Sequence, residues 1–293
     1  MGIDGSIVAL ITPFGEDGAI DEEGLRRLVD FQIENGTDAI LACGTTGESA
    51  TMSGEERTEV IRIVAEHANG RVQVIAGTGV NSTAGAVELT RAAEEVGADA
   101  ALVVSPYYNK PTQRGLVEHY TTVANSTGLP VILYNVPGRT ASNIEAATSL
   151  ELARVENIVG VKEASGRMDQ VMEILRSRPE GFTLLSGEDF LTYPMMSMGA
   201  EGVISVATNC VPKLMSEFVH AMREGNYQRG RELHFQLLPL FRGIFIETNP
   251  IPIKEACRIR GLPSGSYRLP LGAPEQGTTE LLQNLLSELG IRQ

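Results

Sequence analysis

The 293-residue sequence is poor in cysteine, in basic residues and in long apolar runs. Its cysteines, Cys43, Cys210 and Cys257, are far apart and form no CxxC pair, which argues against a disulfide framework or a cysteine zinc site. With 24 Lys and Arg against 37 Asp and Glu, the net charge of −13 argues against nucleic-acid binding. No apolar run approaches the ~20 residues that cross a bilayer, so no membrane partner is expected. These features predict a cytoplasmic globular protein.

Eight short apolar runs recur along the chain and are separated by segments with helical periodicity. They span residues 7–11, 38–43, 72–77, 100–104, 131–134, 158–162, 183–187 and 202–206. Strands that are apolar throughout are typical of a parallel sheet covered by helices. Eight such units in ~220 residues predict an α/β fold, a closed (β/α)8 TIM barrel, over residues 1–224. A doubly wound open sheet is the less favoured alternative, because it usually has fewer strands and a nucleotide-type glycine loop.

The strand pattern stops near Arg223, and the remaining chain is predicted to be helical. Helical patterns over 226–245, 251–260 and 275–289 predict a C-terminal α-helical domain at residues 225–293. Within the barrel, Ser53 and Glu56 form a capping-box pattern. Ser82 and Asn143 are predicted to lie just before two other helices.

Lys162 ends the sixth predicted strand, at the edge where TIM barrels carry their chemistry. A lysine directed into the barrel mouth loses hydration, which lowers its pKa and leaves an amine that can form a Schiff base with a ketone. From position alone, a lysine that points outward or pairs with Glu163 is equally well supported. The other three lysines, Lys110, Lys213 and Lys254, lie next to or near prolines in loops or at helix starts, and we expect solvated charges there.

Other polar residues follow neighbouring strands. Tyr134 can shuttle protons beside a Schiff-base lysine, although a rim tyrosine with a satisfied hydroxyl is the commoner case. The amides and hydroxyls of Gly44–Glu48 suit a small carboxylate, or they form only a tight turn. Arg139 can bind a substrate carboxylate, or it forms a surface ion pair.

The sequence offers little support for metal or nucleotide chemistry. The four histidines, His67, His119, His220 and His234, lie in helical segments away from the strand ends, so no histidine metal centre or Ser-His-Asp triad is expected there. The segment Gly77–Ser82 lacks the third glycine of the dinucleotide-binding fingerprint.

Taken together, the motifs resemble those of the dihydrodipicolinate synthase / N-acetylneuraminate lyase family of class I, pyruvate-binding aldolases. The resemblance covers nearly the whole chain and rests on ITPF at 11–14, GTTGE at 44–48, PYYN at 106–109, YNVPGRT at 134–140, GVKEASG at 160–166 and NPIPIK at 249–254. Within the family, the sequence most resembles the branch that condenses pyruvate with L-aspartate 4-semialdehyde in the diaminopimelate route to L-lysine. The residues that indicate this branch are Thr46 and Gly138-Arg139-Thr140.

The resemblance implies a mechanism without a metal or organic cofactor, in which Lys162 forms a covalent imine with pyruvate. It assigns catalytic roles to Lys162, Tyr134, Thr45 and Tyr108 and substrate-binding roles to Thr46, Arg139, Gly187 and Ile204. In the family, the tyrosine equivalent to Tyr108 enters the active site of the adjacent subunit. The resemblance therefore implies a homodimer or a homotetramer built as a dimer of dimers.

Two alternatives remain at this point. A sibling aldolase that cleaves a 2-keto-3-deoxy sugar acid or N-acetylneuraminate would keep Lys162 and Tyr134, but Arg139 argues against it. A non-catalytic barrel would predict the loss of Lys162 or Tyr134, and both are present.

One departure from the family concerns regulation. Lysine-inhibited members carry histidines near positions 54 and 57 and a glutamate at position 85, whereas this chain has Gly54, Arg57 and Gly85. The loss of a carboxylate and the gain of an arginine predict weak or absent feedback inhibition by L-lysine.

Overall fold

The apolar runs of the sequence form short parallel strands whose residues are almost all buried, as expected for a sheet covered on both faces. In a computed structural model that describes residues 2–291, the strands are β1 (Gly5–Ala9), β2 (Ala39–Ala42), β3 (Gln73–Gly77), β4 (Ala100–Val104), β5 (Val131–Asn135), β6 (Ile158–Glu163), β7 (Thr183–Ser186) and β8 (Gly202–Ser205). Each strand pairs with the next, and β8 pairs with β1. This closed barrel confirms the predicted (β/α)8 fold.

The first strand lies two residues earlier than its apolar pattern predicts. Leu10 and Ile11 are buried but lie beyond the end of β1. The Ile11 amide donates to Asn209 Oδ1 at 2.9 Å, so a side chain replaces the next strand at this point. The apolar pattern therefore predicted correctly that these two residues are buried, but it placed the end of the strand incorrectly.

The helices cover the barrel and follow the strands in alternation. They are α1 (Glu22–Glu34), α2 (Gly54–Ala68), α3 (Thr83–Glu95), α4 (Gln113–Ala124), α5 (Pro137–Thr140), α6 (Ala146–Leu152), α7 (Met168–Ser177), α8 (Thr192–Ser197), α9 (Pro212–Arg223), α10 (Tyr227–Gly243), α11 (Ile251–Ile259) and α12 (Gln276–Glu288). In the described part of the chain, none of them combines the length and the apolar character that crossing a bilayer requires.

The predicted helix starts are confirmed at two positions and wrong at a third. Ser53 and Glu56 exchange both bonds of a capping box, and Ser82 caps α3. Asn143 does not cap α6, which begins three residues later. Its side-chain oxygen instead accepts a bond from Asn135 Nδ2 at 2.9 Å, because the end of β5 lies against this loop.

The C-terminal segment returns to the carboxyl end of the barrel. Asn249, just before α11, donates through Nδ2 to Thr46 Oγ1 at 2.9 Å. Lys254 on α11 is fully buried, and its Nζ lies 2.6 Å from Glu48 Oε1. The expectation of a solvated charge at Lys254 is therefore wrong, because a carboxylate from the loop after β2 neutralises it inside the protein.

Candidate active site

A pocket opens at the carboxyl end of the barrel and collects side chains from several strand ends. Six of the predicted site residues line it: Thr45, Thr46, Tyr134, Arg139, Lys162 and Gly187. Leu41 and Leu102 are among its apolar lining residues, and the barrel interior contains further apolar side chains such as Leu185. The pocket is therefore the upper end of a packed core, where polar groups replace apolar ones.

Lys162 points into this pocket from β6. Its Cα is in register with that of Tyr134 on β5, and its Nζ lies 4.3 Å from the centre of the Tyr134 ring. The residue is only 5% exposed, and burial lowers the pKa of its amine to about 8, although the nearby carboxylates of Glu188 and Asp189 oppose the shift. At pH 7 roughly a tenth of the amine is therefore neutral, far more than for an ordinary lysine, and this fraction can act as a nucleophile.

Glu163, the next residue, does not pair with Lys162. Successive side chains of a strand point to opposite faces, and the Glu163 carboxylate lies on the helix side of the sheet. It accepts bonds from Asn135 Nδ2 at 3.0 Å, Gln170 Nε2 at 2.9 Å and the Ser165 amide at 2.7 Å. The structure thus rejects the outward-pointing and Glu163-paired alternatives for Lys162.

Tyr134 places a protonated phenol beside the lysine. Burial raises the pKa of Tyr134 to about 12, while Arg139 and the nearby Thr45 hydroxyl act in the opposite direction. The phenol can therefore donate a proton to a developing oxygen and receive one from Thr45.

The absence of a side chain at Gly187 makes room for Lys162. A Cβ at Gly187 would lie 2.6 Å from Ala164 Cβ and 3.1 Å from Lys162 Cε. Any larger residue would push against the lysine stem, so the position suits glycine.

The loop Gly44–Glu48 is fixed by hydrogen bonds from two segments that are distant from it in sequence. Thr12 Oγ1 donates to the Gly47 carbonyl at 2.8 Å, and Asn249 Nδ2 donates to the Thr46 hydroxyl. Thr46 is buried, so its hydroxyl and the neighbouring amides present a preformed polar surface to a ligand.

Arg139 lies on α5 at the rim of the pocket and is exposed to solvent. Within residues 2–291 no carboxylate forms an ion pair with it, so the surface ion pair considered for this residue is not formed. Its guanidinium is available to a ligand carboxylate.

Two of the predicted site residues lie outside the pocket lining. Tyr108 is 89% exposed, has a left-handed backbone φ of 74° and does not line the pocket of its own chain. Ile204 on β8 is buried in the apolar barrel interior beneath the pocket.

The pocket also contains residues for which the sequence suggested no role, notably Glu188 and Asn249. Burial and the neighbouring Asp189 raise the pKa of Glu188 to about 7, whereas Lys162 and Arg139 lower it. Glu188 follows β7, so its strand-end position was a signal for it. Asn249 arrives from the C-terminal segment through tertiary packing, and no local pattern indicates it.

Across residues 2–291, no three His, Cys, Asp or Glu side chains are placed together as a metal site would require. The groups gathered in the pocket are an amine, a phenol, hydroxyls, a guanidinium and a carboxylate. They can form an imine with a keto acid, move protons around it and bind carboxylates.

Known proteins resemble this chain in both sequence and structure. The sequence profile of the dihydrodipicolinate synthetase family matches residues 2–289. The chain is 51% identical over 288 residues to 4-hydroxy-tetrahydrodipicolinate synthase of Aquifex aeolicus, covering 98% of each chain. The crystal structure of dihydrodipicolinate synthase from Aquifex aeolicus superposes with a TM-score of 0.97 over 99% of both chains, at 51% identity.

A second solved structure is the chloride-inhibited dihydrodipicolinate synthase of Acinetobacter baumannii in complex with pyruvate, which is 45% identical, with a TM-score of 0.97 and 99% coverage of each chain. The family profile and these relatives span nearly the full length of the sequence, including every strand that carries a pocket residue. The chain belongs to the dihydrodipicolinate synthetase family.

Proposed function

We propose that the protein is a lyase with 4-hydroxy-tetrahydrodipicolinate synthase activity, which condenses pyruvate with L-aspartate 4-semialdehyde in the cytoplasm. The observation that carries the proposal is the buried Lys162 amine beside the Tyr134 phenol at the mouth of the barrel. The full-length relative of that name, at 51% identity, supports the choice of reaction within the family.

The first half of the reaction takes place on Lys162. Its neutral Nζ attacks the keto carbon of pyruvate, and the resulting carbinolamine loses water to give a cationic imine. Tyr134 supplies the proton for the departing water and exchanges protons with Thr45. The cationic nitrogen then acidifies the methyl group, and the Tyr134 phenolate left by the previous step takes one methyl proton, which gives a nucleophilic enamine and restores the phenol. The lysine itself provides the electron sink, so this step needs no metal or organic cofactor.

The carboxylate of pyruvate is held by the loop after β2. Thr46 and the adjacent amides provide donors, Gly187 lines the pocket, and Ile204 packs in the barrel interior beneath it. Because Asn249 and Thr12 already fix this loop, the donors are preorganised before the ligand enters.

The second half joins the two substrates. The enamine carbon attacks the aldehyde carbon of L-aspartate 4-semialdehyde, and the aldehyde oxygen takes a proton from Tyr134. Arg139 holds the substrate carboxylate through its paired N–H groups. The substrate ammonium then gives a proton to the Tyr134 phenolate, and the resulting amine attacks the imine carbon. One of its remaining protons moves to Lys162 Nζ, the bond from the carbon to Nζ breaks, and the neutral lysine is regenerated as the ring closes to a cyclic imine.

We further propose that Tyr108 completes the proton relay in the site of an adjacent subunit, so that the active unit is a homodimer or a homotetramer. The 89% exposure of Tyr108 and its strained left-handed backbone support this role, because a large aromatic held in solvent on a strained residue needs a partner surface.

The rival within the family is an aldolase that cleaves a 2-keto-3-deoxy sugar acid or N-acetylneuraminate. Parallel assays of the purified protein separate the two activities. We expect pyruvate to be consumed with L-aspartate 4-semialdehyde, and no pyruvate to be released from the sugar acids. The reverse pattern would overturn the proposed reaction while leaving the Schiff-base chemistry in place.

A further inference from the structure

Glu188 is the only carboxylate that lines the pocket within residues 2–291. Its backbone is fixed, because Ser186 Oγ donates to its carbonyl at 2.8 Å and Thr192 Oγ1 donates to the same oxygen at 3.2 Å. Its side-chain carboxylate makes no hydrogen bond or ion pair with any described residue. A half-buried carboxylate of this kind is available to a ligand.

The adjacent Asp189 cannot take this role. Its Oδ2 accepts bonds from the amides of Val206 at 3.1 Å and Ala207 at 3.0 Å, so this oxygen holds the segment after β8. Asp189 is also fully buried and does not line the pocket.

The other charges of the pocket are positive. Lys162 and Arg139 both act on Glu188 closely enough to favour its ionised form. Arg139 and the hydrogen-bond donors of Gly44–Glu48 are sufficient to bind a ligand whose only charged groups are carboxylates. A ligand that also carries a cation would meet uncompensated repulsion in this space without Glu188.

We propose that the Glu188 carboxylate binds the α-ammonium group of the second substrate and thereby selects an amino aldehyde acid over the same aldehyde acid without an amine. The inference rests on the proposed function, since it concerns L-aspartate 4-semialdehyde. That substrate carries a carboxylate and an ammonium group on one carbon, and Arg139 and Glu188 offer one countercharge for each.

The proposal carries a pH dependence. Glu188 faces Lys162, Arg139, Asp189 and the neutral phenol of Tyr134, and its pKa is raised to about 7. An arriving ammonium favours the ionised carboxylate, so the affinity for the amino substrate falls as the pH drops below about 7. In a Glu188→Gln variant this part of the pH dependence disappears.

The test compares two aldehydes in two variants. Succinic semialdehyde is L-aspartate 4-semialdehyde without its ammonium group. Glu188→Gln is expected to lower kcat/KM for the amino substrate by about 10- to 100-fold, the range for losing a hydrogen bond to a charged group. The same variant keeps or gains affinity for succinic semialdehyde as an inhibitor, because a negative charge has left a pocket that binds its carboxylate. Glu188→Asp keeps the negative charge, so its kcat/KM for the amino substrate should fall less than that of Glu188→Gln.

The matched control is Glu180→Gln. Glu180 is an exposed glutamate that precedes β7, at the opposite end of the strand that Glu188 follows. Glu180→Gln removes one negative charge near the same strand. It should change neither kcat/KM for the amino substrate nor the affinity for succinic semialdehyde.

Equal weakening of both aldehydes in Glu188→Gln would overturn the proposal, as would unchanged kinetics with the amino substrate. Trapping of a pyruvate adduct separates this outcome from a failure of the proposed function. If both the wild type and Glu188→Gln form the adduct and the preference between the two aldehydes is unchanged, only the proposed role of Glu188 is wrong. If the wild type forms no adduct, the proposed function itself is wrong.

Discussion

Lys162 owes its reactivity to its surroundings. The side chain enters the barrel at the level of Tyr134 because the two Cα atoms are in register on β5 and β6. It is nearly inaccessible to water, which disfavours the charged form, and Glu188 and Asp189 restore only part of the loss. The lowered pKa is thus a consequence of burial.

This burial predicts how the rate of adduct formation depends on pH. Below its pKa the amine is protonated and cannot attack; above it the amine is neutral. We expect the initial rate of reductive trapping of pyruvate by cyanoborohydride to rise with pH and to level off with a midpoint near the pKa of about 8. A midpoint near the 10.5 of an ordinary lysine would show that the amine is solvated.

At the residue scale, the sequence predicted the features that depend on strand-end position. Lys162, Tyr134 and Arg139 lie at or just after strand ends, and parallel strand ends meet at one edge. Burial of a charge by a distant partner could not be predicted in this way. Lys254 was expected in solvent because its carboxylate partner lies more than two hundred residues earlier in the chain.

At the scale of elements, α11 and the loop after β2 are joined by a buried ion pair. Lys254 Nζ contacts Glu48 Oε1 at 2.6 Å and also donates to the carbonyls of Ser266 at 2.6 Å and Thr12 at 3.2 Å. One ammonium therefore ties three segments around the carboxyl end of the barrel, and the loop that carries Thr45 and Thr46 is one of them.

Removal of one partner of this pair should be strongly destabilising. Lys254→Met leaves the buried Glu48 carboxylate without its ion-pair partner, and we expect a loss of about 3–5 kcal/mol in the free energy of unfolding. Urea denaturation measures it. The double variant Glu48→Gln with Lys254→Met should recover much of the loss, because no unpaired charge remains.

The control for this experiment is Arg176→Met, which removes the solvent-exposed pair with Glu173 and should change stability little. Equal effects of Lys254→Met and Arg176→Met would show that burial adds nothing to the importance of the Lys254–Glu48 pair.

Element boundaries were predicted well wherever apolar character and hydrogen bonding end at the same residue, as at Ala100–Val104. They failed where tertiary contacts decide. A side chain from Asn209 replaces the ladder beyond β1, and Asn143 is drawn to the end of β5 and does not cap α6.

At the scale of the whole molecule, the position of Tyr108 predicts complementation between subunits. In a mixed dimer of Lys162→Ala and Tyr108→Phe chains, one site regains both Lys162 and Tyr108 and the other loses both. Random reassociation should therefore restore about a quarter of wild-type activity from two nearly inactive proteins. If native mass spectrometry shows mixed dimers but no activity is restored, Tyr108 does not act in the active site of the adjacent subunit.

Regulation also belongs to this scale. Arg57 is buried and donates through Nε to the Ser49 carbonyl at 3.0 Å, where a cationic effector would meet its charge. With glycines at positions 54 and 85, we expect millimolar L-lysine to leave most of the activity intact. A steady-state titration checks this, and half inhibition at that concentration would refute it.

The proposed chemistry depends on a covalent bond between Lys162 and pyruvate. The most direct measurement is borohydride reduction of the protein in the presence of pyruvate, with intact-mass analysis and peptide mapping of the product. We predict one reduced pyruvate adduct per chain, located on Lys162, and none in a folded Lys162→Ala variant that has also lost turnover. An adduct on another residue, or a Lys162→Ala protein that retains full turnover, would contradict the Schiff-base mechanism.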